Sequence, residues 1–296
     1  MHRILDIPSQ IQLLKDRGMI FGNENKATEI LDDIGFYRLG FYMFPFEKSF
    51  PKLKNRNHKY RGGTTFESAV DLYYFDFDLR QILTKALNRI EVNIKTAITN
   101  IVSMQFPNSP TWFVDNNVVT ADFISSFDSA VYAAILKNPV IKRHHSKYIN
   151  DKYAPAWKTI EFMTLGNICI LYDSIKSMAV RTDVAQRYGC TVDAFSKYLN
   201  AVTILRNKCA HGACLYNLTL AKGIKIEPAG IPNATRQFIS GEIGLVVYLL
   251  NCISEHRADE LKDAVNRLLN MPRTKEAQQV IEDCTKILHL NFVDKR

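Results

Sequence analysis

The forty residues TFESAVDLYYFDFDLRQILTKALNRIEVNIKTAITNIVSM, Thr65 to Met104, decide the fold. Val70, Tyr73, Phe77, Leu83, Leu87, Ile90, Ile94, Ile98 and Ile101 recur at spacings of three, four or six, the period of one apolar helix face. Thr64 or Thr65 supplies an N-cap hydroxyl, and Pro107 and Pro110 stop the helix. One long helix is therefore predicted, around which the other segments pack.

On the N-terminal side, Ser9 is placed to cap a helix through Leu14 that Gly18 stops, and Asn25 to cap a second with Ala27, Ile30, Leu31 and Ile34. The aromatic-rich run Gly35 to Phe46 follows, and Pro45 prevents it from continuing as helix. Phe50 to Gly63 is basic and ends in two glycines, so it reads as a loop, either a solvated connector or a phosphate-contacting flap. On the C-terminal side, smaller helices, including Ala121 to Leu136, are expected to project from the body, and Trp157 to Met178 to form a core helix. Val184 to Tyr188 reads as a short turn stopped by Gly189. Thr191 or Asp193 then caps Phe195 to His211, with Gly212 as its stop. Residues 219–239 are expected to be irregular, with a brief hairpin near Ile224-Lys225-Ile226, before helices at Ile243 to Leu269 and Thr274 to Leu290.

The predicted architecture is all-α: residues 1–63 form an N-terminal helical lobe and basic loop, 64–270 a helical bundle with an insertion at about 107–155, and 271–296 a C-terminal helix and tail. A chain of 296 residues, 47% hydrophobic and 23% charged, can bury a substantial core unaided. Its most apolar run, Gly244 to Leu250, is bounded by Glu242 and Asn251 and is too short to span a membrane. The beginning, Met1 to Asp6, lacks the apolar stretch of a signal peptide, so a cytoplasmic location is expected. Six cysteines without a C-x-x-C pair read as free thiols; Cys209, His211 and Cys214 lack a second ligand pair, so neither metal nor cofactor is expected. The excess of 38 Lys and Arg over 30 Asp and Glu, a net +8, favours a polyanionic partner.

Chemistry concentrates at Arg206, Asn207 and His211, within one and a half turns of the helix ending at Gly212. Asn207 and His211 share a face at i, i+4, and Arg206 lies about 100° round from Asn207. Cleaving RNA without a metal requires a group to take the 2′-hydroxyl proton and a fixed cation for the phosphorane charge, and His with Arg supplies both. The same residues also suit a plainer role, capping the helix and bridging to a neighbouring carboxylate.

Leu205-Arg206-Asn207-Lys208-Cys209-Ala210-His211, followed by Leu215-Tyr216-Asn217, resembles the hallmark of the Abi family of abortive-infection phage-resistance proteins, AbiD/AbiF type. Six further blocks occur in the family's order, beginning at Leu14 to Met19, Ile34 to Tyr42, Leu72 to Arg80 and Arg89 to Val92. They continue with Pro155-Ala156-Trp157 together with Leu165-Gly166, and end with Val184 to Gly189. The resemblance implies a HEPN-like bundle whose Arg-x4-His motifs form a composite site in a homodimer. It also implies a toxin-like endoribonuclease of phage defence that leaves 2′,3′-cyclic phosphate, with RNA, including a small non-coding RNA, as partner.

Carried over, Arg206 would hold the scissile phosphate, His211 act as general acid/base, Asn207 orient either, and Glu91 match a family acid. Gly212 and Cys214 stand where the family often has His and Arg. Glu91 follows Arg80 by about three turns, so Arg206 or Arg80 is its expected partner, in catalysis or in a buried ion pair. Asn217 is expected to fix the turn after Gly212, and Lys208 to face solvent and touch phosphate. Lys142, Arg143, His144, His145 and Lys147 form a basic cluster, read as an RNA contact or an ordinary surface helix or loop. The aromatic run Phe36 to Phe46 could stack bases or pack the lobe. The alternative to an enzyme is a non-catalytic RNA-binding or scaffold protein on the same bundle.

Overall fold

A computed structural model describes residues 4–287. Two short helices, α1 (Ile7–Asp16) and α2 (Glu24–Ile34), open the chain. Their caps differ from the expected ones: Asp6 accepts from the Ser9 amide at 2.9 Å, and Asn23 from the Lys26 amide at 3.0 Å. Pro8 fits inside the first turn because no helical bond needs its missing N–H. The aromatic run forms a helix of its own, α3 (Phe36–Met43), closed by a 3₁₀ turn at Phe44–Phe46 that contains Pro45.

The predicted long helix is α4 (Phe66–Gln105), capped by Thr65, which accepts from the Ser68 amide at 3.2 Å. Its 40 residues extend about 60 Å at 1.5 Å per residue. Leu72, Phe75, Leu79, Leu83, Leu87, Ile90, Ile94 and Ile98 are fully buried. The sequence stripe included Phe77, which is 40% exposed, whereas Phe75 and Asp76 face the core. Helices pack on several sides of α4, so its buried surface is wider than one stripe.

The insertion contains α5 (Ala121–Phe127), continuing through a π turn at Asp128–Tyr132 into α6 (Ala133–Ile135), then α7 (Pro139–Lys147). The rings of Trp112, Phe113, Phe127, Tyr132 and Tyr153 meet at centroid distances of 5.0–6.2 Å and form its core. The expected helix from Trp157 to Met178 is broken into α8 (Ala156–Thr159), a 3₁₀ turn, and α9 (Leu165–Ser174). Thr164 starts α9 by capping the Asn167 amide, and both Trp157 and Ile170 are more than half exposed. Ser177 caps α10 (Met178–Gln186), so a full helix stands where a short turn was expected.

Thr191 caps α11 (Val192–Ala210), whose end lies at His211, with Gly212 at φ +64°. No hairpin forms near Ile224; Thr219 bridges to Phe238, and the Ile224 amide donates to the Arg236 carbonyl at 2.8 Å. The last predicted long helix divides at extended Ser254 into α12 (Ile239–Ile253) and α13 (Glu255–Leu269). Helix α14 (Lys275–Thr285) ends at left-handed Lys286. Residues 288–290 of the helix expected there, and the tail after them, lie outside the described residues. Helices α11, α12, α13 and α14 all pack on α4. The fold is all-α, without a strand longer than an isolated bridge among the described residues, and no described helix is long and apolar enough to cross a membrane.

Candidate functional site

Burial of α11 on Leu199, Val202 and Leu205 turns Arg206 toward α4, where its Nε donates to Glu91 Oε2 at 3.2 Å. Lys95 contacts the other carboxylate oxygen at 2.9 Å, so the 8%-exposed Glu91 has a cation on each side. The Arg206 guanidinium also reaches Asn207 Oδ1 at 3.4 Å. Of the two partners expected for Glu91, the structure selects Arg206.

Arg80 pairs with Asp76, one turn earlier on α4. Asp76 is fully buried and accepts from the amides of Leu215 and Tyr216 at 2.8 and 2.6 Å and from the Tyr42 hydroxyl at 2.9 Å. Arg80 donates to the Ala213 carbonyl at 3.1 Å, and Arg38 of α3 donates to the Gly212 carbonyl. These contacts, not Asn217, hold the turn after the motif; Asn217 is exposed, and among the described residues its side chain contributes no hydrogen bond there. Arg38, Tyr42 and Asp76 were missed as site residues. All three lie in the blocks Ile34–Tyr42 and Leu72–Arg80, but their partners are more than 30 residues away, beyond what spacing reveals.

His211 caps the C-terminus of α11, its amide donating to the Asn207 carbonyl at 3.0 Å and the Gly212 amide to the Cys209 carbonyl at 3.2 Å. Its side chain is exposed and that of Lys208 half-buried, and neither makes a hydrogen bond or ion pair among the described residues. Both line a cleft of about 870 Å³ between α3, the basic loop, the turn after the motif and α14. Asn217 contributes to the same side, and Phe41, Phe44, Phe50 and Tyr216 form an aromatic wall. Part of the basic loop is anchored. Arg56 donates Nε to Glu47 at 3.0 Å and lies 4.2 Å over the Phe44 ring, and His58 reaches the same carboxylate at 3.3 Å. Burial alone would raise the Glu47 carboxyl, but hydrogen bonds from Arg56 and Ser49 outweigh it and hold the group below its ordinary value. Lys52 and Lys54 remain exposed.

Arg206 does not line this cleft; it borders a separate depression of about 80 Å³ with Thr84, Leu87 and Cys209. Within one chain, the guanidinium and the imidazole therefore line different depressions. The cluster on α7 is also apart from the cleft and divides in role. Lys142, Arg143 and Lys147 are exposed, whereas His144 is buried against Asp151 at 3.2 Å and Lys158 at 3.3 Å, and His145 meets the Tyr132 hydroxyl at 2.8 Å. Burial, then the Lys158 charge, lowers the basicity of His144.

All six cysteines are free, but only Cys190 and Cys209 are buried, and Cys252 is exposed. Burial pushes the Cys209 thiol up to about 12.

A family model described as Abi-like protein matches residues 29–217. No curated protein and no solved structure matches the chain. The matched region runs from α2 to Asn217, so it takes in the Glu91–Arg206 pair, His211 and the Asp76 anchor. The chain belongs to the Abi-like protein family, and that membership points to abortive-infection phage defence.

Proposed function

We propose that this protein acts in abortive infection as a metal-independent endoribonuclease. The observation that carries the reading is His211, an unpaired and exposed imidazole at the end of α11, beside Lys208 on the wall of a cleft. In the reaction an imidazole takes the 2′-hydroxyl proton, the 2′-oxygen bonds to phosphorus, and the P–O5′ bond breaks. The 5′-oxygen leaves as a hydroxyl with a proton from an imidazolium, and the other fragment ends in a 2′,3′-cyclic phosphate. Lys208, and the guanidinium of Arg206 held at Nε by Glu91, offset the charge that builds on phosphorus. Arg206 and His211 line different depressions of one chain, which favours a homodimer in which two motif helices together make the site.

The same separation favours a second reading, an RNA-binding protein that does not cut, with Arg206 serving only its ion pair. Arg206→Ala and His211→Ala, assayed on labelled single-stranded RNA, distinguish the two. Each variant losing at least about 100-fold in cleavage rate while binding RNA as before supports the enzyme. An Arg206→Ala variant that changes stability alone removes this arginine from the chemistry.

A further inference from the structure

The aromatic run of α3 divides its side chains between two environments. Leu39, Tyr42 and Met43 are buried, whereas Tyr37 and Phe41, one turn apart, are 83% and 43% exposed. Phe41 lies on the wall of the cleft that also holds His211, and Tyr37 stands edge-on to it with ring centroids 5.3 Å apart. The Tyr216 hydroxyl donates to the Phe41 carbonyl at 2.9 Å, which fixes the backbone beneath that ring. One wall of the cleft is thus an exposed, anchored aromatic surface. The same cleft is also lined by Lys208, free of hydrogen bonds and ion pairs among the described residues, and by the imidazole of His211.

We propose that Phe41, flanked by Tyr37, is a stacking platform for an unpaired RNA base, and that Lys208 receives the adjoining phosphate. The inference rests on the nuclease reading for its substrate and adds what the cleft selects, which is single-stranded over duplex RNA. An aromatic face is sequence-tolerant, because every base offers a π surface. A duplex buries those surfaces in its own stack and cannot present one to Phe41. A cleft of about 870 Å³ falls within the roughly 300–1,000 Å³ of ligand sites. The net charge of +8 favours a phosphate-bearing occupant over an apolar peptide, and Asp283 is the only carboxylate among the described lining residues.

The test uses full-length protein carrying His211→Ala, with a short fluorescein-labelled oligouridylate and a blunt RNA duplex of equal length as probes, read by anisotropy. Adding Phe41→Ala should weaken the single strand about tenfold or more and leave the duplex unchanged, while Phe41→Trp, which keeps a π face, binds like the parent. Phe41→Ala binding the single strand as the parent does, or weakening both probes equally, overturns the platform. Cleavage by the otherwise wild-type chain in EDTA is scored separately. A cutting enzyme indifferent to Phe41→Ala refutes the platform alone, and a non-cutting protein that loses binding on Phe41→Ala refutes the nuclease alone.

Discussion

Glu91 and His211 both enter the proposed mechanism but differ in what surrounds them. Glu91 is nearly buried between Arg206 and Lys95, so Glu91→Ala leaves two cations without a counter-charge and should cost about 2–4 kcal/mol in urea unfolding. His211 is exposed and unpaired, and His211→Ala should stay within about 0.5 kcal/mol of wild type, so lost cleavage cannot be ascribed to unfolding. Asp76→Asn should destabilise by about 3 kcal/mol or more, because Arg80 would remain buried without its carboxylate. Arg206, Asn207 and His211 were legible because a motif lies within six consecutive residues. Asp76 was not, since its role arises only when α4 meets amides 139 and 140 residues later. His144 and His145 read as a basic surface from sequence, yet packing against Asp151 and Tyr132 turns them inward.

At the scale of elements, period and capping were enough for α4 and α11, where Thr65 and Thr191 sit as expected. They were insufficient where a polar residue interrupts an apolar run: Thr164 starts α9 inside one predicted helix, and Ser254 separates α12 from α13 in another. Helix α12 also contains a feature that no pattern indicates. Glu242 is fully buried, neither of its carboxylate oxygens has a hydrogen-bond partner among the described residues, and burial pushes its carboxyl up to about 8. A carboxyl raised on folding leaves stability intact below the unfolded value and removes it as pH rises toward the folded one. Wild type should therefore lose about 3 kcal/mol between pH 4.5 and 7, and Glu242→Met should abolish that slope in denaturant titrations. His144, whose basicity falls on folding, acts at the acid end: its neutral form is favoured in the fold, so stability declines as pH drops below about 6.5.

The whole molecule brings the N-terminal lobe and the end of the motif helix to one cleft, tied by Arg38 to Gly212 and by Tyr42 to Asp76 of α4, which in turn holds the amides of Leu215 and Tyr216. The helical class followed from the sequence, but this apposition of α3 and the end of α11 did not, because it depends on contacts across 174 residues. If two chains complete the site, light scattering should give a particle of twice 33.9 kDa, and cleavage per chain should fall on dilution below the dissociation constant. Metal-independent cleavage by His211 is tested most directly by end-group analysis of labelled single-stranded RNA incubated in EDTA with wild type and with His211→Ala. Wild type should give 2′,3′-cyclic phosphate and 5′-hydroxyl ends, and the variant should leave the RNA intact. Intact RNA with wild type, or the same ends from both proteins, would contradict that chemistry.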